Sequence, residues 1–228
     1  MNPPKLSKRL DCAASFVRPN SFVADVGTDH AYLPIALAAA GRIRGGVVSD
    51  IHKGPIDRAT AHIREWGMED RLTPVLCDGL AEIEPYAPDD ILILGMGGEL
   101  IADILRRAPW TKRPGVRLIL QPMTHPELLR RFLLSESYTI LDEALVKEEK
   151  IYQILCVEYS GAVSVYNDTE LLFGRENIRR GGALLDELLT HWTQILTVRR
   201  EGKLSAGADS SEEDKLLQQI GELRHDRT

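Results

Sequence analysis

The stretch that most constrains this chain is Ala24-Asp25-Val26-Gly27-Thr28-Asp29-His30-Ala31-Tyr32-Leu33-Pro34. An apolar run over residues 22–26 stops at a glycine, passes polar residues and enters an alanine-rich helical pattern. That is a strand, a tight turn and a helix. Gly27 can take turn geometry that a side chain would obstruct, and Pro34 fits the first helical turn, where a missing N–H costs nothing. In an open α/β sheet such a turn lies beyond the carboxyl end of a strand, where ligands bind. A strand-to-helix turn also needs glycine for structural reasons alone, so the turn by itself names no ligand.

Charge narrows the choice. A dinucleotide turn reads G-x-G-x-x-G, its second glycine letting backbone approach a pyrophosphate. Here Asp29 occupies that second position, and its carboxylate would repel a pyrophosphate while attracting an ammonium or sulfonium. S-adenosylmethionine carries both cations.

The 228 residues, 43% of them hydrophobic, suffice for one full α/β domain with an appendage. No apolar run approaches 18 residues, and no apolar signal region follows the first residues, so a soluble, cytoplasmic protein is expected with no membrane partner. Cys12, Cys77 and Cys156 are odd in number and far apart, as expected of ordinary thiols, and the histidines lack metal-ligand spacing, so no metal is assigned. The net charge of −6 argues against gross attraction to nucleic acid. Local clusters still matter: Arg106, Arg107, Lys112 and Arg113 lie in a segment without Asp or Glu, and Lys5, Lys8 and Arg9 open the chain. Each cluster reads as an RNA-binding patch or as a solvated surface.

In chain order, Leu6, Leu10, Ala13, Ala14 and Val17 recur at helical spacing before the first strand. Residues 45–49 give a second strand ending at Asp50, which lies 23 residues after Gly27. That is near the spacing at which nucleotide sites place an acid on ribose hydroxyls, although Asp50 also suits the start of the next helix. After a third strand at 73–77, Asp78 can accept from an adenine amino group while Gly79 makes room for the ring. The apolar run 91–94 reads as a central parallel strand leading into Gly95-Met96-Gly97-Gly98, where backbone can approach a ligand beside an adaptable Met96. A fifth strand at 116–120 ends in Gln121, whose amide could read a base edge, and 138–146 with 151–159 form a closing antiparallel hairpin.

Four strings, Lys5-Leu6-Ser7-Lys8-Arg9-Leu10, Asp25 through Pro34, Gly95-Met96-Gly97-Gly98 and Leu118-Ile119-Leu120-Gln121-Pro122, together resemble the bacterial tRNA (adenine-22-N1)-methyltransferase family. The resemblance covers residues 5 to about 160. The G-M-G-G loop stands where many amino-group methyltransferases have D/N-P-P-Y, and Met123 stands where this family commonly has Asn. The resemblance implies a class I (Rossmann-like) α/β methyltransferase with a seven-stranded, mostly parallel sheet. It also implies S-adenosyl-L-methionine as donor and N1 of an adenine in tRNA as acceptor.

On these readings Asp25, Gly27, Asp29, His30, Asp50, Asp78, Gly79, Gly95, Met96 and Gly97 bind cofactor, with His30 equally able to be a structural histidine. Asp29, Gly95, Met96 and Gln121 serve the reaction, and Lys5, Lys8, Arg9, Arg106, Arg107, Lys112 and Arg113 face the RNA. Two other classes stay open: a NAD-dependent oxidoreductase, which Asp29 disfavours, and a non-catalytic RNA-binding protein that keeps a nucleoside fold.

The division expected is a catalytic domain over 1–162 and a C-terminal coiled-coil-like helical domain over 163–228. Leu184, Leu185, Leu188, Leu189, Trp192, Ile195 and Leu196 share a helical face, and Leu216, Leu217, Ile220 and Leu223 follow a polar break. An antiparallel hairpin results, able to pack, to dimerise or to hold tRNA; a monomer is the expected state.

Overall fold

The computed structural model describes residues 4–225. The chain divides into two compact units, Met1–Ser164 and Val165–Thr228. The first contains β1 (Ser21–Val26), β2 (Ile43–Asp50), β3 (Leu72–Leu76), β4 (Asp90–Met96), β5 (Arg117–Pro122), β6 (Tyr138–Lys147) and β7 (Ile151–Tyr159). They form one seven-stranded sheet of order β3-β2-β1-β4-β5-β7-β6. Strands β1 to β5 are mutually parallel, and β7 is antiparallel to both β5 and β6. The chain's progress reverses at β1, which has β2 on one side and β4 on the other. That reversal opens a crevice above the carboxyl ends of β1 and β4.

Helices α1 (Lys8–Ser15), α2 (Tyr32–Ala39), α3 (Lys53–Glu65), α4 (Gly98–Arg106) and α5 (Pro126–Ser135) connect or flank the strands. Ile91, Leu92 and Ile93 of β4 and Leu118, Ile119 and Leu120 of β5 are completely buried, as a parallel strand covered on both faces requires. Arg130 of α5 is also completely buried; it pairs with Glu143 of β6 at 2.6 Å and donates to Gln153 of β7 at 2.7 Å. A buried charge is tolerated only with such partners, so this network fixes the closing hairpin against α5.

The structure departs from the sequence expectation at β4. The strand does not end before the glycines: it runs through Gly95 to Met96, which pairs with Pro122 beyond a register shift after Leu94. Gly95 takes φ +79°, the conformation that lets the ladder resume.

The second unit contains α6 (Asp168–Phe173), α7 (Arg175–Arg180), α8 (Ala183–Ser205) and α9 (Ser211–His225). Arg200 pairs with Asp214 at one end of the last two helices, and Arg224 donates to Thr190 at the other, so they run antiparallel. Leu185, Leu188, Leu189, Leu196 and Ile220 are their buried residues of apolar type. Helices α6 and α7 were not expected; at six residues each they are too short to show a helical period, although Asn167 and Glu170 form a capping box.

Candidate active site

The turn after β1 is pinned sideways to β2: the N–H groups of Gly27 and Thr28 both donate to the Ser49 carbonyl, at 2.8 and 2.9 Å. Thr28 Oγ1 accepts from Ala31 N at 3.0 Å and so holds the entry into α2. Gly27 has φ +78°, and a Cβ there would lie 2.1 Å from Met96 Cε. The turn is bare because the end of β4 lies across it. Beyond Met96 the stitching continues, with Met123 N donating to the Met96 carbonyl at 2.7 Å and Gly98 N to the Thr124 carbonyl at 2.8 Å.

A cavity of about 300 Å³ opens here, lined by Arg9 and Leu10 of α1, by Asp25 and the turn from Gly27 to Leu33, and by Leu94 and Gly95 of β4. Asp25 is buried, and burial pushes its carboxyl up to about 6 against the opposing hydrogen bond from Thr28. Asp29 is exposed and behaves oppositely: the Arg58 guanidinium of α3 holds its carboxyl below the usual range. His30 Nε2 also lies 3.1 Å from Asp29 Oδ2. The rings of His30, Tyr32 and His62 are nearly parallel, with centroids 5.0 to 5.1 Å apart, and His62 Nδ1 is 3.1 Å from the His30 carbonyl.

Of the expected cofactor residues, Asp25, Gly27, Asp29, His30 and Gly95 therefore meet at the cavity, and Met96 closes over Gly27. Asp50, Asp78, Gly79 and Gly97 are not in its lining. Asp50 Oδ1 accepts from His52 N at 2.7 Å, so one carboxylate oxygen braces the start of α3. Asp78 takes two contacts from the Arg107 guanidinium, at 2.6 and 3.3 Å. Cys77 N bonds to the Asp50 carbonyl at 3.0 Å, which keeps both acids on one edge.

Three of the expected residues have partners within the fold. Gly79 makes room for Ile104, whose nearest carbons would be 3.1 Å from a Cβ. Gly97 and Gly98 face the loop after β5: a Cβ on Gly98 would stand 2.3 Å from the His125 carbonyl oxygen, and one on Gly97 would stand 3.2 Å from Thr124 Oγ1. Gln121 is completely buried, its oxygen accepting from Arg9 Nη1 and from Gly95 N at 3.1 Å and its nitrogen donating to the Pro122 carbonyl at 2.9 Å. An amide so occupied has little left for a base edge. It joins α1 to the end of β4.

The basic segment has acidic partners that its local sequence does not show. Arg106 pairs with Asp103, Arg107 with Asp78 at 2.6 Å, Lys112 with Glu136 at 2.6 Å and Arg113 with Glu84 at 3.8 Å. The acids come from outside the segment, and each of the four cations has an exposed carboxylate partner, a pairing that leaves its side chain open to solvent. Lys5 lines a separate groove between α1 and α2, and Lys8 is exposed. Sequence reasoning missed Arg58, Tyr32 and His62 at the rim; Arg58 reaches Asp29 across 29 residues, and nothing local signals that pairing. Among the described residues no group of three His, Cys, Asp or Glu could hold a metal ion, and no helix is long and apolar enough to cross a membrane.

Sheet order, turn and cavity define a Rossmann-like methyltransferase, and residues 6–155 match the family model for a methyltransferase domain. The chain is 32% identical over 229 residues to the tRNA (adenine(22)-N(1))-methyltransferase of Bacillus subtilis (strain 168), covering 97% of this chain and 95% of that protein. The crystal structure of the B. subtilis M1A22 tRNA methyltransferase is similar with a TM-score of 0.82 at 29% identity, covering 97% of this chain and 98% of that one. Streptococcus pneumoniae Sp1610, solved in complex with S-adenosyl-L-methionine, gives 0.85 at 31% identity, with 96% and 99% covered. The chain belongs to the tRNA (adenine(22)-N(1))-methyltransferase family.

Proposed function

We propose that this protein transfers the methyl group of S-adenosylmethionine to N1 of adenine 22 in tRNA, as its B. subtilis relative's name describes. The observation that supports this most is the charge layout of the cavity, with Asp25 at the end of β1, Asp29 on the turn and Arg9 on the α1 wall. The amino-acid end of this cofactor carries an ammonium and a carboxylate, and the cavity offers a partner of each sign. A pyrophosphate would instead meet two carboxylates at the turn. Bound there, S-adenosylmethionine supplies an activated methyl group on a sulfonium.

The protein's share is binding, orientation and exclusion of water. Asp25 and Asp29 attract the ammonium, Arg9 the carboxylate, and Asp50 accepts from the ribose hydroxyls. Gly27 and Gly95 leave backbone accessible, and Leu10, Leu94 and Met96 provide apolar walls. Adenine N1 has its own lone pair, so no side chain must remove a proton first; alignment and desolvation carry the rate. The methylated base is cationic, and the rim carboxylates, Asp29 first, oppose that charge. The helical unit holds the tRNA.

The deciding experiment is incorporation of labelled methyl into tRNA transcripts with adenine or another base at position 22. Label that depends on that adenine is expected; equal label on both transcripts rejects the assignment. A chain ending at Ser164 should still bind cofactor but lose most methylation, and full activity there would remove the substrate role of the helical unit.

A further inference from the structure

A base brought to the mouth of the cavity, against the cofactor's methyl group, carries its two flanking phosphates across the rim, so the cations best placed to meet RNA are those beside the opening without a carboxylate partner. The start of α1 contributes Arg9 and Leu10 to the cavity wall. The turn between β6 and β7 is fastened to it: Glu148 Oε1 accepts from Arg9 N at 2.8 Å. From the same turn Lys150 Nζ donates to the Met123 carbonyl at 3.0 Å, and Met123 N is bonded to Met96. Lys8 and Lys150 thus stand at one joint, next to the cavity wall and to the end of β4, and both are exposed.

Their partners leave the charge available. Lys150 spends one N–H on a carbonyl and lies 5.3 Å from the Tyr152 ring centroid. Among the described residues, no carboxylate lies within ion-pair distance of Lys8 or Lys150. The nearby acids are shared or occupied: the Glu148 carboxyl is held below its usual range chiefly by the Arg9 N–H, with Ser7, the Arg9 guanidinium and Lys8 adding to the pull, Glu149 accepts from the Tyr152 hydroxyl at 3.1 Å, and Asp11 lines the groove with Lys5. The segment 106–113 is the reverse case, with every cation in an ion pair.

On the reading that tRNA is the substrate, we infer that the phosphates flanking the target nucleotide cross the joint between α1 and the β6–β7 turn, contacting Lys8 and Lys150. Segment 106–113 takes no part in that path. Each phosphate contact releases counterions, so log K falls with log salt by roughly 0.7 to 0.9 per contact.

The test is tRNA binding across a salt series with the full-length protein. Lys8→Ala and Lys150→Ala should each flatten the slope by about that amount, and the double variant by about twice as much, with S-adenosylmethionine affinity and melting temperature unchanged. Arg106→Ala with Arg113→Ala should leave the slope as in wild type. An unchanged slope in the lysine double variant overturns the path, as does a flattened slope in the arginine double variant. Wild type that methylates no tRNA would fell the functional reading as well, an outcome distinct from an active enzyme whose slope ignores both lysines.

Discussion

Along the carboxyl edge of the sheet, the half above β1 to β3 presents carboxylates, whereas the half above β4 and β5 presents glycine backbone and an amide that the protein itself consumes. Asp25, Asp29, Asp50 and Asp78 lie at or just beyond strand ends; Asp29 meets Arg58 and His30, Asp78 meets Arg107, and Asp50 accepts from the backbone N–H of His52. Gln121 sits at a comparable place on β5, yet its donor and acceptor both turn inward. The difference is one of valence. A carboxylate has acceptor sites to spare after a single ion pair, while a buried amide must match donors and acceptors together and finds them inside the fold.

The largest effect should come from the inward half. Gln121→Ala leaves Gly95 N without its acceptor, releases Arg9 and opens a void, at a cost of roughly 4 kcal/mol in stability. Gln121→Glu keeps the acceptor for Gly95 N and Arg9 but loses the donor to the Pro122 carbonyl, and should recover only part of the melting temperature. An alanine variant of wild-type stability whose only defect is in tRNA recognition would restore Gln121 as a base reader and break the contrast.

The next effect belongs to Asp25. Its carboxyl ionises at about 6 in the folded protein against 3.8 ordinarily, so between those values the folded chain keeps a proton that the unfolded chain has lost. Stability of the ligand-free protein should therefore fall as pH rises through this window, by about 3 kcal/mol over the full span. Denaturant melts at the two ends of the window measure it, and Asp25→Asn should abolish the slope. Cofactor affinity should run the other way, rising as Asp25 ionises to meet the ammonium.

Asp29→Ala and Asp50→Ala sharpen the outward half: each should weaken S-adenosylmethionine binding by roughly ten- to a hundredfold without unfolding the protein. Calorimetric titration decides, and wild-type affinity in both variants would mean these carboxylates serve only Arg58 and the start of α3. The smallest effect is expected at Arg106→Ala, an exposed pair with Asp103, where melting temperature and tRNA affinity should stay within error.

How much of this was legible in the sequence depends on the distance over which each feature is encoded. The strands and the turn at Gly27 are written locally, as apolar runs stopped by glycine, and the cavity residues Asp25 to His30 lie in one contiguous string. The pairing of Arg58 with Asp29, or of Arg107 with Asp78, spans 29 residues and depends on how helices settle against the sheet. Charge clusters are the extreme case. Residues 104–126 contain no acid, and their lysine and arginines find carboxylate partners only once folding brings Asp78, Glu84, Asp103, Glu136 and Glu158 alongside. The glycines after Met96 pose a related problem, because a missing side chain marks a close approach without saying what approaches.

The seat of Met96 over Gly27 makes the site a place where oxidative chemistry would register. The methyl group of that thioether fills the space a Cβ would need, and the side chain is only partly buried. Conversion to the sulfoxide adds a polar oxygen and changes the shape of a group that must stay flat against the turn. Peroxide treatment should therefore lower cofactor affinity in the wild type, with recovery by a methionine sulfoxide reductase, whereas a Met96→Leu variant should bind equally before and after exposure.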